Sequence, residues 1–299
     1  MILAIDIGNS SISCGVYCEP DYTTAEARIP ECFCRFKIAS KHLSADEYLL
    51  LFHQFLSFYK IAPEDSFHEN ARTDTGSSQG LNACVIASVV PALTETISKV
   101  ARTITGTNPL VIGRGVRTGF GIKIQNPEQL GADIVANAAG AFMLAEPPFV
   151  ILDVGTATTI TFVNEHGEIP GTIIMPGLTV SMEALTDSAA LLSDVPLDIP
   201  QELLGKNTSE SIRSGVIGGH VLMIDGFIRN IREQYTVKDA ERKLGLVATG
   251  GLAETILPFC RNKFRYEADL TLLGEISLYM KNRPIKIDRN TNDTNHPKW

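Results

Sequence analysis

The chain has 299 residues, 44% apolar and 20% charged, enough for a substantial core in two domains or one large one and too apolar for a disordered chain. Acidic residues outnumber basic ones by 34 to 26, a net charge of −8, which argues against a chain-wide surface for nucleic acid or anionic lipid. Pro147-Pro148 and Asp153 interrupt the longest apolar candidate, and Asp6 follows directly on Ile2-Leu3-Ala4-Ile5, so a cytoplasmic protein without a membrane span is expected.

In chain order, 2–5 reads as a buried strand that stops at the turn Asp6-Ile7-Gly8-Asn9-Ser10, and 11–17 alternates polar and apolar as a half-buried strand does. The polar stretch 19–31 reads as a hairpin loop, with 33–39 as the returning strand. Ser44 and Glu47 form a capping box for a helix whose apolar set includes Leu49, Phe52, Phe55 and Leu56. Residues 65–80 read as an exposed loop, 85–91 as a strand, and the stretch from there to about 105 as a helix. Asn126-Pro127-Glu128-Gln129 opens a helix expected over 127–145, and the chain divides before Pro147-Pro148. A second half restarts at 149 with an apolar strand ending at Asp153, and 284–299 reads as a loose tail. The expected division is therefore 1–146, 147–283 and a tail of 284–299.

Four of the six cysteines, Cys14, Cys18, Cys32 and Cys34, crowd together. Cys14-x3-Cys18 has an acceptable zinc spacing, whereas Cys32-x-Cys34 is tighter than the usual pair. Reduced thiols serving as small hydrophobes are the favoured reading, with a metal or a disulfide as the alternative.

The two halves echo each other. Asp6-Ile7-Gly8-Asn9-Ser10 and Asp153-Val154-Gly155-Thr156-Ala157 lie 147 residues apart, each between an apolar strand and an alternating one. An echo at that offset implies two copies of one fold. Glycine after a strand lets a ligand approach the backbone, and the amides and hydroxyls of Asn9, Ser10, Thr156, Thr158 and Thr159 can donate to phosphate oxygens. Aspartates cannot meet phosphate without repulsion, so Asp6 and Asp153 would act through a cation or its waters. Two such turns facing each other would grip a triphosphate, and Thr249-Gly250-Gly251 adds a glycine pair on which a ribose or base can lie. No G-x-x-x-x-G-K-[ST], H-E-x-x-H or G-x-S-x-G motif competes with this reading. Asp133, following Gly131-Ala132, is a poor helix-interior residue; on its residues alone it reads as a solvated helix-face acid, with a general base as the alternative.

Taken together these motifs resemble the type III pantothenate kinases of the actin-like, acetate-and-sugar-kinase superfamily. Ser88-Val89-Val90-Pro91, Met175-Pro176-Gly177-Leu178, Gly205-Lys206-Asn207-Thr208, Ser214-Gly215 and Leu270-Thr271-Leu272-Leu273-Gly274 extend the resemblance over nearly the whole chain. The resemblance implies an α/β fold of two ribonuclease H-like domains with a nucleotide cleft between them, and ATP-dependent phosphorylation of pantothenate at its 4′-hydroxyl. It implies Asp133 as general base and Gly131, Ala132 and Ser188 at the acceptor, Ser188 reaching in from a neighbouring subunit of a homodimer. It further implies Asp6 at Mg²⁺, Asp153 beside a monovalent cation (K⁺ or NH₄⁺), and Gly8, Asn9, Ser10, Gly155, Thr156, Thr158, Thr159, Gly250 and Gly251 around ATP. Three departures stand out: Ile134 where the family places Arg, Gln125 in a stretch where it commonly has Tyr, and Pro170-Gly171 where it has Gly-Gly. Arg114 or Arg117 are the candidates to replace the missing Arg. The departures leave two rival readings, an actin-like kinase for another small hydroxy acid and a non-catalytic, nucleotide-binding paralogue acting as a regulator.

Overall fold

The computed structural model describes residues 1–19, 30–61, 80–188, 195–200, 202–235 and 243–283. Most of the loops expected at 19–31 and 65–80, and the tail from 284, lie outside the described residues.

The first half forms strands β1 (Ile2–Ile7), β2 (Ser11–Tyr17), β3 (Cys32–Ala39), β4 (Ala83–Ser88) and β5 (Leu110–Val111) in the order β3-β2-β1-β4-β5. Helices α1 (Ala45–Phe58) and α2 (Pro91–Thr105) cover one face of it. The capping box at Ser44 and Glu47 starts α1 as its sequence demands. A short strand β6 (Gly121–Ile122) then leads to α3 (Ala132–Ala141). The second half forms β7 (Phe149–Val154), β8 (Ala157–Val163), β9 (Glu168–Ile169) and β10 (Gly171–Pro176), then α4 (Leu178–Ser188), α5 (Thr208–Arg213) and α6 (Gly219–Tyr235). A π-helical turn over Ser214–Gly218 joins α5 to α6. Strand β11 (Gly245–Thr249), α7 (Ala253–Ile256), β12 (Arg265–Tyr266) and α8 (Leu270–Asn282) complete the described chain.

The second sheet has the order β10-β8-β7-β11-β12, strand for strand that of the first. In each, the first three strands run as an antiparallel meander and the other two join in parallel. The echo of the two aspartate turns is thus a duplication of the whole sheet, the ribonuclease H-like arrangement. Strands β6 and β9 pair in parallel and tie the halves together.

Alternation along the central strands decides what faces what. In β1, Leu3, Ile5 and Ile7 pack toward α1 and α2, while Ile2 and Ala4 face the opposite way, onto Val135 and Ala139 of α3 and Leu272 and Ile276 of α8. In β7, Val150, Leu152 and Val154 face α4 and α6, while Phe149 and Ile151 face Ala138 and Ala141 of α3 and Leu270 of α8. Helices α3 and α8 are therefore a middle layer shared by both sheets. They cross so closely that a Cβ on Gly274 would collide with the Ala136 carbonyl and one on Gly140 with that of Leu270, so only glycine fits at the crossing. By the same alternation Asp6 and Asp153 close the inner faces of β1 and β7 at their carboxyl ends.

The helix expected over 127–145 is broken. Pro127–Gln129 forms a 3₁₀ turn, Leu130 is extended with φ −69° and ψ 126°, and α3 begins only after Gly131. Asn126 makes no side-chain cap, whereas Asp133 accepts a hydrogen bond at Oδ1 from the Ile134 N–H at 2.8 Å. Asp133 is consequently a first-turn residue, where a carboxylate is favoured by the positive helix end, rather than a helix-interior one. All six cysteines are free; Cys14, Cys34 and Cys84 are packed as hydrophobes in the core beneath α1 and α2.

Candidate active site

Where the carboxyl ends of β1 and β7 meet the amino ends of α3 and α8 there is a cleft of about 240 Å³. Its walls include Asp6, Gly8, Asn9, Ser10, Asp133, Asp153, Gly155, Thr156, Thr159, Gly250 and Gly251, which brings together eleven of the residues singled out in the sequence. Each turn is closed by its glycine: the Gly8 N–H donates to the Ser11 carbonyl at 3.0 Å, and the Gly155 N–H to the Ala157 carbonyl at 3.1 Å. They also touch, with Ser10 Oγ and Thr156 Oγ1 3.0 Å apart. Gly250 has φ +97°, and a Cβ there would approach the Val154 backbone to 2.5 Å, so this turn requires glycine.

Thr158 is a correction. Its side chain is buried on the far face of β8, with Oγ1 2.9 Å from His220 Nε2, and it does not line the cleft. The second turn is one residue shorter than the first: Ile7 pairs with Ile12, but Val154 pairs with Thr158. Thr158 is thereby the counterpart of the core residue Ile12, and Thr159 that of Ser13. Gly131 and Ala132 flank Asp133 without lining the cleft. Ser188 ends α4, and its side chain lies outside the described residues.

Burial pushes the Asp6 carboxyl up to about 7, with the charges of Asp133 and Asp153 adding to the rise and Lys37 opposing it. Asp153 is raised to about 6 by burial, opposed by a hydrogen bond from Asn137. Asp133 is raised by burial against the pull of backbone donors, which makes it a better proton acceptor than an exposed aspartate.

Three residues the sequence reading missed complete the site. Asn137 Nδ2 donates to Asp153 Oδ2 at 2.8 Å, and Thr271 Oγ1 donates to Asn137 Oδ1 at 2.7 Å, so one relay from α8 through α3 orients Asp153. Lys37 enters from β3. The side chain of Ile134 is buried, Arg114 pairs with Glu128 at 3.3 Å, and neither Arg114 nor Arg117 lines the cleft. Among the described residues no three His, Cys, Asp or Glu side chains converge as a ready-made metal cage.

A family model described as type III pantothenate kinase matches residues 2–230. The chain belongs to the type III pantothenate kinase family. A relative of that name from Shouchella clausii is 35% identical over 284 residues, covering 95% of this chain and 100% of the relative. Another from Geotalea uraniireducens is 34% identical over 283 residues, covering 95% and 99%. Among solved structures, a Campylobacter jejuni protein described as a Baf family transcriptional activator aligns over 94% of this chain and 98% of its own, with a TM-score of 0.53 at 18% identity. That likeness bears on the fold alone.

Proposed function

We propose that the protein phosphorylates pantothenate with ATP, giving 4′-phosphopantothenate at the entry to coenzyme A synthesis. The observation that carries this reading is the convergence of the two duplicated turns, in contact through Ser10 and Thr156, on a cleft that also holds Asp133. The turns bind the phosphates, Gly250 and Gly251 support the nucleoside, and Asp133 takes the proton of the acceptor hydroxyl as its oxygen attacks the terminal phosphorus. The bond from that phosphorus to the bridging oxygen breaks in line, and ADP leaves.

The donor set suits a hard cation. Carboxylates whose protonation is favoured by burial and mutual repulsion are restored to the charged form by such an ion. With no three-ligand cage among the described residues, one or two carboxylates plus water and phosphate oxygens would hold it, as Mg²⁺ prefers. Asp6 would hold Mg²⁺, which when bound neutralises charge on the phosphates, and Asp153 would neighbour the monovalent cation. A cytoplasmic homodimer, with Ser188 of one subunit completing the acceptor site of the other, belongs to the same proposal. Among the described residues no helix is long and apolar enough to cross a membrane.

The test is an ADP-release assay with ATP, Mg²⁺ and K⁺, with and without pantothenate to millimolar levels. Pantothenate-dependent release is expected. Its absence in a protein that still binds ATP would move the acceptor to another small hydroxy acid, the reading that the buried Ile134 favours.

A further inference from the structure

The duplication makes it possible to ask which site residues are inherited from the repeated fold and which belong to one half only. In the first sheet, Asp6 pairs with Ser13 and Ser13 pairs with Lys37, so three directly opposed residues on β1, β2 and β3 share one face. In the second sheet, Asp153 pairs with Thr159 and Thr159 with Ile174. The first two members of each row correspond, an aspartate and a hydroxyl. The third does not: an ammonium stands where the other half has an isoleucine that is 65% exposed. The charge at 37 is therefore not a by-product of the shared architecture.

Lys37 is also the one cation lining the cleft among the described residues, against three carboxylates and a polyanionic substrate. No side chain among the described residues forms an ion pair with it. It lies two strands from β1, about 10 Å, a span that a flexible four-carbon stem largely closes. Its field is felt at Asp6, on the phosphate side of the cleft; the influences on Asp133, on the acceptor side, are burial and backbone donors.

We infer that Lys37 is a catalytic residue of the phosphoryl transfer, its ammonium contacting the terminal phosphate of ATP from the rim of the first sheet. The inference rests on the kinase reading above. As the acceptor oxygen bonds to the terminal phosphorus and the bond to the bridging oxygen breaks, the hydroxyl proton passes to Asp133, and Lys37 donates hydrogen bonds to the equatorial oxygens, where charge is held in the transition state. The contact is specific to the phosphate that moves, so a diphosphate should not use it.

The experiment compares Lys37→Met and Lys37→Arg with the unaltered protein. Lys37 is exposed, so the fold is expected to tolerate both changes. Binding of ADP and of a non-hydrolysable ATP analogue, each with Mg²⁺ and without acceptor, is measured by calorimetry. Turnover is measured separately as pantothenate-dependent ADP release. In Lys37→Met the analogue weakens about tenfold or more while ADP changes less than about threefold. Its kcat falls by about a hundredfold or more, with the KM for pantothenate nearly unchanged, and Lys37→Arg recovers part of both losses. Equal weakening of ADP and analogue, or no change in either, overturns the inference. So does a raised KM for pantothenate at constant kcat, which would place Lys37 on the acceptor carboxylate instead. Absence of pantothenate turnover in the unaltered protein would overturn the acceptor assignment alone, because the comparison of the two nucleotides needs no acceptor.

Discussion

The two halves share a sheet order and an aspartate at the end of the central strand, yet they hold those aspartates differently. Asp153 accepts a hydrogen bond from Asn137, which Thr271 in turn fixes, and its carboxyl is raised to about 6. Asp6 has no such side-chain donor among its influences, and burial first, then the repulsion of both other aspartates, raises it to about 7. A repeated fold thus supplied two equivalent carboxylates. The middle helices then anchored one and left the other without a side-chain donor, within the field of Lys37, which has no counterpart across the pseudo-repeat. The lesson is that duplication fixes where groups stand, while neighbours from outside the repeat decide what each one does.

The largest effect should come from the group that belongs to neither sheet. Asp133→Asn is expected to lower kcat by about 10²–10⁴-fold with ATP binding retained, measured by ADP release and nucleotide titration. Unchanged turnover would remove Asp133 from the role of base.

The difference between the two aspartates can be read next through pH. Their folded pKa values lie above the ordinary carboxylate range, so the folded protein binds more protons than the unfolded chain. The stability this confers is complete below about pH 4 and is lost as pH rises through 6 to 7. Asp6→Asn should therefore stabilise the ligand-free protein at pH 8 by roughly 2–4 kcal/mol at the expense of turnover. Asp153→Asn should gain less, because Asn137 already favours its charged form. Thermal melts from pH 4 to pH 8 would show this, and equal gains for the two variants would contradict the asymmetry.

A smaller change tests the anchor. Asn137→Ala should cost about 1–3 kcal/mol in chemical denaturation by leaving Asp153 without its donor, whereas Thr271→Ser should stay close to the unaltered protein. The smallest effect separates neighbours on one strand: Thr158→Val should lose about 1 kcal/mol of stability with its bond to His220 and leave turnover within about twofold. Thr159→Val, on the cleft face, should do the reverse, sparing stability and lowering turnover.

The sheet duplication was legible because its signal is local: an apolar run, an aspartate and a glycine turn, written twice. The capping box at Ser44 and Glu47 and the two turns were legible for the same reason. Thr158 was misplaced because four consecutive residues were treated as one loop, although strand alternation already separates Thr158 from Thr159. The break before α3 was hidden by a good start signal at Asn126-Pro127, which Gly131 then overrides. Lys37 and Asn137 left no mark that sequence could show, and Thr271 stood in a matching motif without a role, since each matters only through strand register or the crossing of two helices far apart in the chain.

That crossing bears on how the protein is made. The inner face of the first sheet, with Ile2, Ala4 and Val85, is covered by Leu272, Leu273, Ile276 and Leu278 of α8. The residues that complete the first half are thus synthesised only after every strand of the second sheet. The amino-terminal half cannot finish as an independent unit during synthesis, although early folding of amino-terminal domains is the common route. Its exposed sheet face must wait for α8, so truncation before Leu270 would uncover the inner face of the distant first sheet as well as the Leu270 contact of the second.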